Sequence, residues 1–430
     1  MSEFDAIVVG AGPAGASAAI RLALSKKNVL LVEKSDPPGS KNVSGGVLWG
    51  NGLSAVIPEW EKTAPLERFV DTKSVAFLTQ DSKISIDFSS KKLEQKKTGY
   101  TVLRTKFDQW LAKKAKEAGA MVINGVTVEK LHMEGGKVTG VDQEGDIITA
   151  DTVILCEGAN PRVAIASGLH DRMSDHDVAI GVKEVISLPE NTINERFNLK
   201  SGAGFACEYV LGYLKDGNQA GGFLYTNKDS ISIGIVVSMS HLRANGETHS
   251  YDLIQEFLDH PYIAPLIAGG KMQEYSAHLV QEGGIRSMPK VYGNGYMIAG
   301  DSAGFSFSNG LVLQGMNYAI DSGVAAADAF MKAQEKGDYS EKSLSVYQDL
   351  LESSYVMRDM KTFRGIEEVT WSPFVHKQVP AMLESLMMSL YMEEGKPKKH
   401  ITGNLMEAMS KSGMLKTSSL LETYRMIRRM

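Results

Sequence analysis

At 430 residues the chain is long enough to bury a large core and to form two or three lobes. A net charge of −5, with 23% charged and 43% hydrophobic residues, describes an ordinary soluble globular protein and gives no sign of a nucleic-acid partner. Cys156 and Cys207 are the only cysteines, too few for a four-cysteine iron–sulfur cluster or a structural zinc site, so no metal site is expected and both read as small buried apolar residues.

The first signal begins almost at Met1, which leaves no room for a secretory leader and makes the cytoplasm the default compartment. Asp5-Ala6-Ile7-Val8-Val9 reads as an apolar strand, Gly10-Ala11-Gly12-Pro13-Ala14-Gly15 as a tight turn, and the pattern through Ala18, Ala19, Leu22 and Ala23 as a helix. In this order Gly10 serves the turn, Gly12 admits a pyrophosphate to the backbone, and Gly15 lets the helix pack on the strand. The anion would rest on the free N–H groups of the helix N-terminus. A second apolar strand, Val29 to Val32, ends at Glu33, placed to accept from an adenosine ribose, with Lys34 beside it. A long polar loop then runs to Gly45-Gly46, where paired glycines allow the backbone to lie against a flat ligand.

A hairpin is expected over residues 74–88, followed by Arg104 and an amphipathic helix carrying Phe107, Trp110, Leu111 and Ala115. Met121-Val122-Ile123 reads as a strand returning to the nucleotide sheet, residues 126–150 as a small meander, and Thr152 to Cys156 as a buried strand that enters the turn at Gly158. Residues 178–238 are strand-rich, 251–258 helical, and 273–280 a further strand. Tyr296-Met297-Ile298-Ala299 ends at Gly300-Asp301, and Ser308-Asn309-Gly310-Leu311 is expected to open a long helix. The uncharged run 302–320 is too rich in Gly, Asn and Gln for a membrane span. Later helices carry apolar stripes at Met382, Leu383, Leu386, Met387, Leu390 and Tyr391 and at Leu420, Leu421, Tyr424 and Ile427, both expected to be core. The tail is basic, with eight Lys or Arg after residue 394 against Glu407 and Glu422, which leaves a surface for a partner or a lipid headgroup open.

The glycine turn alone does not separate FAD from NAD. Gly300-Asp301 favours FAD, because a carboxylate at the end of a late strand can hold ribityl hydroxyls, which NAD lacks. A helix opened by Gly310 and Leu311 would aim its positive end at the flavin ring. No nucleophile–base pair, no metal-ligand cluster and no obvious general acid stands out among these residues.

The glycine turn with Glu33, the Arg104-Thr105-Lys106-Phe107-Asp108 segment and Gly300-Asp301-Ser302-Ala303-Gly304 together resemble the FAD superfamily of p-hydroxybenzoate hydroxylase-like and geranylgeranyl reductase-like proteins. Lys41 to Gly46, Gly181 to Val185, Gly222 to Ser232, Tyr275 to His278 and Val356 to Met360 are similar, more closely, to the FixC family related to electron-transfer-flavoprotein:quinone oxidoreductase. The resemblance spans nearly the whole chain and implies an α/β fold: a Rossmann-type FAD-binding domain of glutathione reductase type with an inserted antiparallel α+β domain and a helical C-terminal region. The expected divisions are 1–74, 101–170 and 286–335 for FAD, 75–100 and 171–285 for substrate or quinone, and 336–430 for the helices.

The resemblance further implies an FAD-dependent oxidoreductase that takes electrons from the α and β subunits of an electron-transfer flavoprotein (FixB- and FixA-like) and delivers them to menaquinone or ubiquinone. It would work peripherally on the inner face of the cell membrane within an electron-bifurcating NADH:ferredoxin/quinone complex. Single-chain relatives carry a four-cysteine cluster domain that this sequence lacks, which implies a separate ferredoxin-like, FixX-like partner. Candidate FAD contacts are Gly10, Gly12, Pro13, Ala14, Gly15, Glu33, Lys34, Gly45, Gly46, Arg104, Gly158, Gly300, Asp301, Gly310 and Leu311. Ring-facing candidates are Gly45, Gly46, Tyr225 and His278, the histidine being more often a satisfied structural residue. A stand-alone isoprenoid (geranylgeranyl) reductase is the alternative; an aromatic hydroxylase and a non-catalytic FAD-bearing scaffold rank below it.

Overall fold

A computed structural model describes residues 2–41, 46–50, 52–244, 246–310, 312–395, 397–416, 418–419, 421, 424 and 428. Gly45 and Leu311, both candidate contacts, lie outside the described residues, as do Leu420 and Ile427 of the second stripe.

Two sheets carry the architecture. The first is built on β1 (Phe4–Val9), which lies between β2 (Val29–Glu33) and β10 (Asp146–Leu155), parallel to both. Beyond β2 lies β7 (Met121–Asn124), and beyond β10 lies β17 (Tyr296–Ile298), again in parallel, with the short β16 (Tyr292–Gly293) antiparallel at its edge. β1, β2 and the end of β10 are continuous apolar runs with both faces covered, as parallel strands require. Chain order reverses at β1, so the crevice beyond the C-terminal ends of β1 and β10 is the ligand position of such sheets. A meander of β8 (Lys130–Glu134) and β9 (Lys137–Gln143) interrupts the sheet before β10. Helix α1 (Pro13–Leu24) packs against α2 (Arg104–Ala118) and along the small-residue helix α3 (Met316–Gln334). That contact is close: a Cβ on Gly323 would fall 2.1 Å from the Ala14 carbonyl oxygen.

The second sheet is mainly antiparallel, with the spatial order β15, β11, β14, β13, β12, β4, β6, β3. Its strands are β3 (Gly46–Trp49), β4 (Leu66–Leu78), β6 (Gly99–Val102), β11 (Val178–Ser187), β12 (Ala203–Leu211), β13 (Ala220–Thr226), β14 (Ser230–Ser238) and β15 (Lys271–Gln281), with β5 (Lys83–Ser89) hairpinned to β4. This corrects the expected boundaries. Residues 46–49 and 66–74 fall within the range expected for the nucleotide domain, yet β3 and all of β4 pair into the second sheet, β4 running parallel to β12 from Phe69 to Leu78. β6 likewise crosses the boundary set at 100 and 101. The physical reason is a polar knot. Arg68 is 1% exposed, its guanidinium donating to the Asn227 and Ala203 carbonyl oxygens and to Asn194, so a strand that buries charge carries no hydrophobic signature.

Ser308, Asn309 and Gly310 do not open a helix, contrary to expectation. Ser308 Oγ accepts from the Gly310 N–H (3.1 Å) and Asn309 Oδ1 from the Val312 N–H (2.8 Å), so the side chains shape a turn between β18 (Phe307–Ser308) and β19 (Leu313–Gln314). Helix α3 starts only at Met316, behind Gly315.

Near the C-terminus α4 (Tyr355–Thr362) and α5 (Ile366–Thr370) are followed by α6 (Val379–Tyr391) and α7 (Ile401–Lys411), which pack on each other. The α6 stripe is not core: none of Met382, Leu383, Leu386, Met387, Leu390 and Tyr391 is buried, and Tyr391 is 79% exposed. Of the second stripe, Leu421 and Tyr424 are exposed as well. Periodicity marks an apolar face but does not say what covers it.

Candidate functional site

The glycine turn forms a cradle whose glycines differ in what surrounds them. Gly10 has φ +102°, and a Cβ there would meet the Cys156 carbonyl oxygen at 2.2 Å. On Gly15 it would meet the Gly10 oxygen at 1.8 Å, so these two positions let β1, α1 and β10 come together. Gly12 is different. Its nearest neighbour would be Arg104 Nη2 at 3.6 Å, so the backbone here faces open space in front of the first turn of α1, where Pro13 and Ala14 sit buried. Helix N–H groups in that turn have no helical partners.

Three charged side chains from distant segments face this opening. Glu33 is held by the Ala11 and Ser35 N–H groups, each at 2.8 Å. Arg104, at the start of α2, makes a two-pronged bond to the fully buried Asp108 (2.8 Å for each arm). Burial works against its charge, while Asp108, Asp301 and Glu33 together outweigh it and hold the guanidinium protonated. Burial pushes the Asp301 carboxyl up, opposed by Arg104 and His278, and its side-chain carboxylate accepts no hydrogen bond from any described residue. Gly300 packs its Cα side against Ala14, and Gly315, at the true start of α3, lies beside Asp301, where a Cβ would be 3.7 Å from Oδ1. The helix end expected at Gly310 is thus supplied five residues later. Gly158 caps β10 with φ +80° and open space above it, while Glu157 accepts from the Val163 and Ala164 N–H groups and is nonetheless pushed up to about 7 by burial. Lys34 is exposed, its charge near Glu157.

An open, donor-rich cradle, an unpartnered carboxylate and a helix N-terminus in one crevice fit an adenine dinucleotide that carries a polyol, as FAD does. Gly46 opens β3 against Met316, at the start of α3, and so stands at the far end of the same crevice. His278 faces Asp301, but its Nδ1 is bonded to the Leu279 carbonyl of its own strand (2.8 Å), and it does not line the cavity described next.

That cavity, of about 170 Å³ and partly open to solvent, lies between β12 and β13 on one side, the 281–285 turn and the β18–β19 hairpin on another, and α4, α5 and residues 371–376 on a third. Gly221, Phe223 and Tyr225 present one face of β13 to it, and Val312, Leu313, Phe363 and Ile366 make the lining largely apolar. Its polar groups are few. Tyr225 donates to Glu208 (3.3 Å), which also holds Lys73, and burial pushes both the Tyr225 hydroxyl and the Glu208 carboxyl up. Opposite, the Trp371 indole N–H donates to Glu282. His376 is kept neutral by burial, pulled down to about 4, with Nε2 on the Thr370 carbonyl oxygen at 2.9 Å.

Of the ring-facing candidates the cavity therefore takes Tyr225, and Gly310 lines it from the hairpin. Glu282, Trp371 and His376 went unread in the sequence. The one available signal was Glu282-Gly283-Gly284, a carboxylate at a strand end before paired glycines, the same form as the 45–46 pair. Both cysteines are buried, Cys207 pushed up to about 12, as befits inert thiols.

Comparison with known proteins agrees. Residues 5–180 match the family described as FAD dependent oxidoreductase, and residues 178–280 match that described as ETF-QO, ubiquinone-binding. The chain is 42% identical to a probable electron transfer flavoprotein-quinone oxidoreductase, YdiS, of Escherichia coli (strain K12), over 96% of each chain. It is 40% identical to Protein FixC of the same strain and 38% identical to Protein FixC of Bradyrhizobium diazoefficiens, each over 92% of both chains. The chain belongs to the FixC and electron transfer flavoprotein-quinone oxidoreductase family. It is an FAD-dependent oxidoreductase. Among solved structures, a geranylgeranyl bacteriochlorophyll reductase-like protein of Thermoplasma acidophilum (TM-score 0.65, 19% identity, 95% of this chain and 96% of that one) shares its fold. So does the flavin-dependent brominase Bmp2 (TM-score 0.66, 15% identity, 96% and 100%).

Proposed function

We propose that this FAD oxidoreductase takes electrons from an electron-transfer flavoprotein and passes them to a membrane quinone. The observation that carries the reading is the mostly apolar cavity, one wall of which is made by β12, β13 and Val236 of β14, strands of the region matching ETF-QO, ubiquinone-binding. A quinone ring with an isoprenoid tail needs such a space, with few polar groups to orient it. FAD, when bound, supplies two-electron storage between donor and acceptor. The chain does the rest. Gly12 and the α1 N-terminus hold the pyrophosphate, Glu33 the ribose and Asp301 the ribityl chain, with Arg104 fixing both carboxylates electrostatically. Gly300 and the start of α3 support the ring, and Phe223, Phe363 and their neighbours exclude water. In this reading the first sheet with α1 to α3 is the FAD domain, the second sheet the quinone domain, and the helices beyond residue 335 form a third wall of the cavity.

In this reading the electron donors are FixB- and FixA-like subunits of an electron-transfer flavoprotein, and a ferredoxin-like FixX-like partner completes a bifurcating complex. The test is anaerobic: the FAD spectrum is followed on adding NADH and a menaquinone analogue to the chain alone and with its co-purifying partners. Reduction that requires an electron-transfer flavoprotein, followed by reoxidation by quinone, is the expected result. Direct reduction of the isolated chain with reoxidation by a prenyl lipid would replace this reading with that of an isoprenoid reductase.

Among the described residues no helix is long and apolar enough to cross a membrane. Contact with the inner face of the membrane would be peripheral, through α6 and α7, where Met388, Tyr391, Ile401 and Met406 are exposed, and through the neighbouring β5 with Ile86 and Phe88. The basic tail lies at the same end of the chain. Such a face, apolar with basic residues beside it, suits an anionic bilayer surface. Co-sedimentation with anionic vesicles should carry the chain down, and a Tyr391→Glu, Ile401→Glu double variant should stay in the supernatant. Equal sedimentation of the two would remove this face from consideration.

A further inference from the structure

We propose that Glu282 is the acid that protonates a quinone carbonyl oxygen as the quinone in this cavity is reduced. The proposal rests on the reading of the cavity as the quinone site. Reduction of a quinone to a quinol takes two electrons, here from reduced FAD, and two protons, which convert both C=O groups to C–OH. The carbonyl that points into the apolar depth of the cavity, away from its open side, must take its proton from a side chain.

Glu282 stands where such a group is needed. It follows directly on the last residue of β15, its N–H is fixed by the Asp177 carbonyl oxygen at 2.8 Å, and its carboxyl lines the cavity with one oxygen held by the Trp371 indole. Burial pushes this carboxyl up to about 8, against the bond from Trp371, so it carries its proton at neutral pH. It is half-buried rather than sealed, so the carboxylate left after the transfer regains its proton from solvent, and the second carbonyl, on the opposite side of the ring, takes its proton from water at the open side of the cavity.

The other charged and titratable groups around it are committed elsewhere. Across the cavity Glu208 is engaged by Lys73 and Tyr225. On the third side His376 is neutral and bonded through Nε2 to a carbonyl oxygen, and Arg364 is exposed. On the adjoining segments Asp177 pairs with Arg286 at 3.1 Å, and the Glu367 carboxylate lies against Gly284. None of these charges sets the Glu282 proton; burial does, offset by the Trp371 bond.

The experiment uses the full chain with FAD bound, reduced anaerobically by light, and follows reoxidation by a short-tailed ubiquinone and by ferricenium, which accepts an electron without a proton. In the parent, reoxidation by the ubiquinone should fall about tenfold per pH unit above about pH 8. In Glu282→Gln it should be about 10²- to 10⁴-fold slower at neutral pH and flat with pH, and Glu282→Asp should restore part of the rate and the pH dependence. Ferricenium should reoxidise all three alike. A second readout needs no turnover: emission assigned to Trp371 by subtracting a Trp371→Phe variant should titrate near pH 8 in the parent and not in Glu282→Gln. Reoxidation of Glu282→Gln by the ubiquinone at the parental rate and with the parental pH profile would overturn the proposal. If the ubiquinone fails to reoxidise even the parent while ferricenium succeeds, the quinone reading itself falls and the proposal falls with it.

Discussion

A Gly12→Asp variant is expected to fold as the parent does and to purify without FAD. The backbone at Gly12 (φ −71°, ψ −174°) is ordinary extended geometry for the residue that precedes a helix, and an added Cβ meets only Arg104 Nη2 at 3.6 Å. Aspartate is a good N-cap, a few tenths of a kcal/mol better than glycine, so the FAD-free protein should be unchanged or slightly more stable. The new carboxylate would occupy the space in front of α1 and set a negative charge against the pyrophosphate. Flavin absorbance per protein should fall to background. Melting of the two FAD-free proteins should coincide, although the parent with FAD melts higher by the linkage term, about 2.7 kcal/mol at a hundredfold excess over Kd. Gly15→Ala is the contrasting case. Its Cβ would fall 1.8 Å from the Gly10 oxygen and 3.2 Å from the Cys156 side chain, so α1 must leave β1 and the fold is lost together with the flavin. Retention of FAD by Gly12→Asp would remove the pyrophosphate from this cradle.

The second large effect is expected at the cavity. Gly221, the second residue of β13, lies between Val210 and Val236, on the same face as Phe223 and Tyr225, and the sole neighbour of an added Cβ is the Tyr209 carbonyl oxygen at 3.8 Å. Gly221→Leu would therefore put its side chain into the cavity without touching the core. Replacing a strand glycine also removes freedom from the unfolded chain, so stability should hold or rise slightly. Crowding the occupant costs about 1–3 kcal/mol, so reoxidation of the reduced flavin by a short-tailed ubiquinone should weaken about 5- to 150-fold. FAD content and reoxidation by ferricenium should not change. An unaltered response to the ubiquinone would place the quinone elsewhere.

The parts of the site that could be read from the chain are those whose chemistry is local. Strand, glycine turn, helix and Glu33 fall within the first 33 residues, and the spacing alone places the carboxylate beside the turn, where it accepts the Ala11 N–H. Gly300-Asp301 was legible for the same reason: a strand and its terminal carboxylate are neighbours in sequence. The α3 start was misplaced because Ser308 and Asn309, which read as helix-capping residues, spend their oxygens on a hairpin turn. The buried Arg68 hid half of β4, since hydrophobic alternation is the signal and a charged residue at 1% exposure breaks it.

The sequence by itself determined the FAD cradle, the alternating strands of the second sheet and the composition of the tail, because each is encoded by residues within one element or one turn. Tertiary structure alone decided that Glu282 meets Trp371 across 89 positions, that Tyr225 rather than His278 faces the cavity, and that the α6 stripe lies open. The reason is that a periodic pattern fixes which face of an element is apolar, whereas the partner of that face, and the burial that keeps a carboxyl protonated, depend on segments brought together from far apart along the chain.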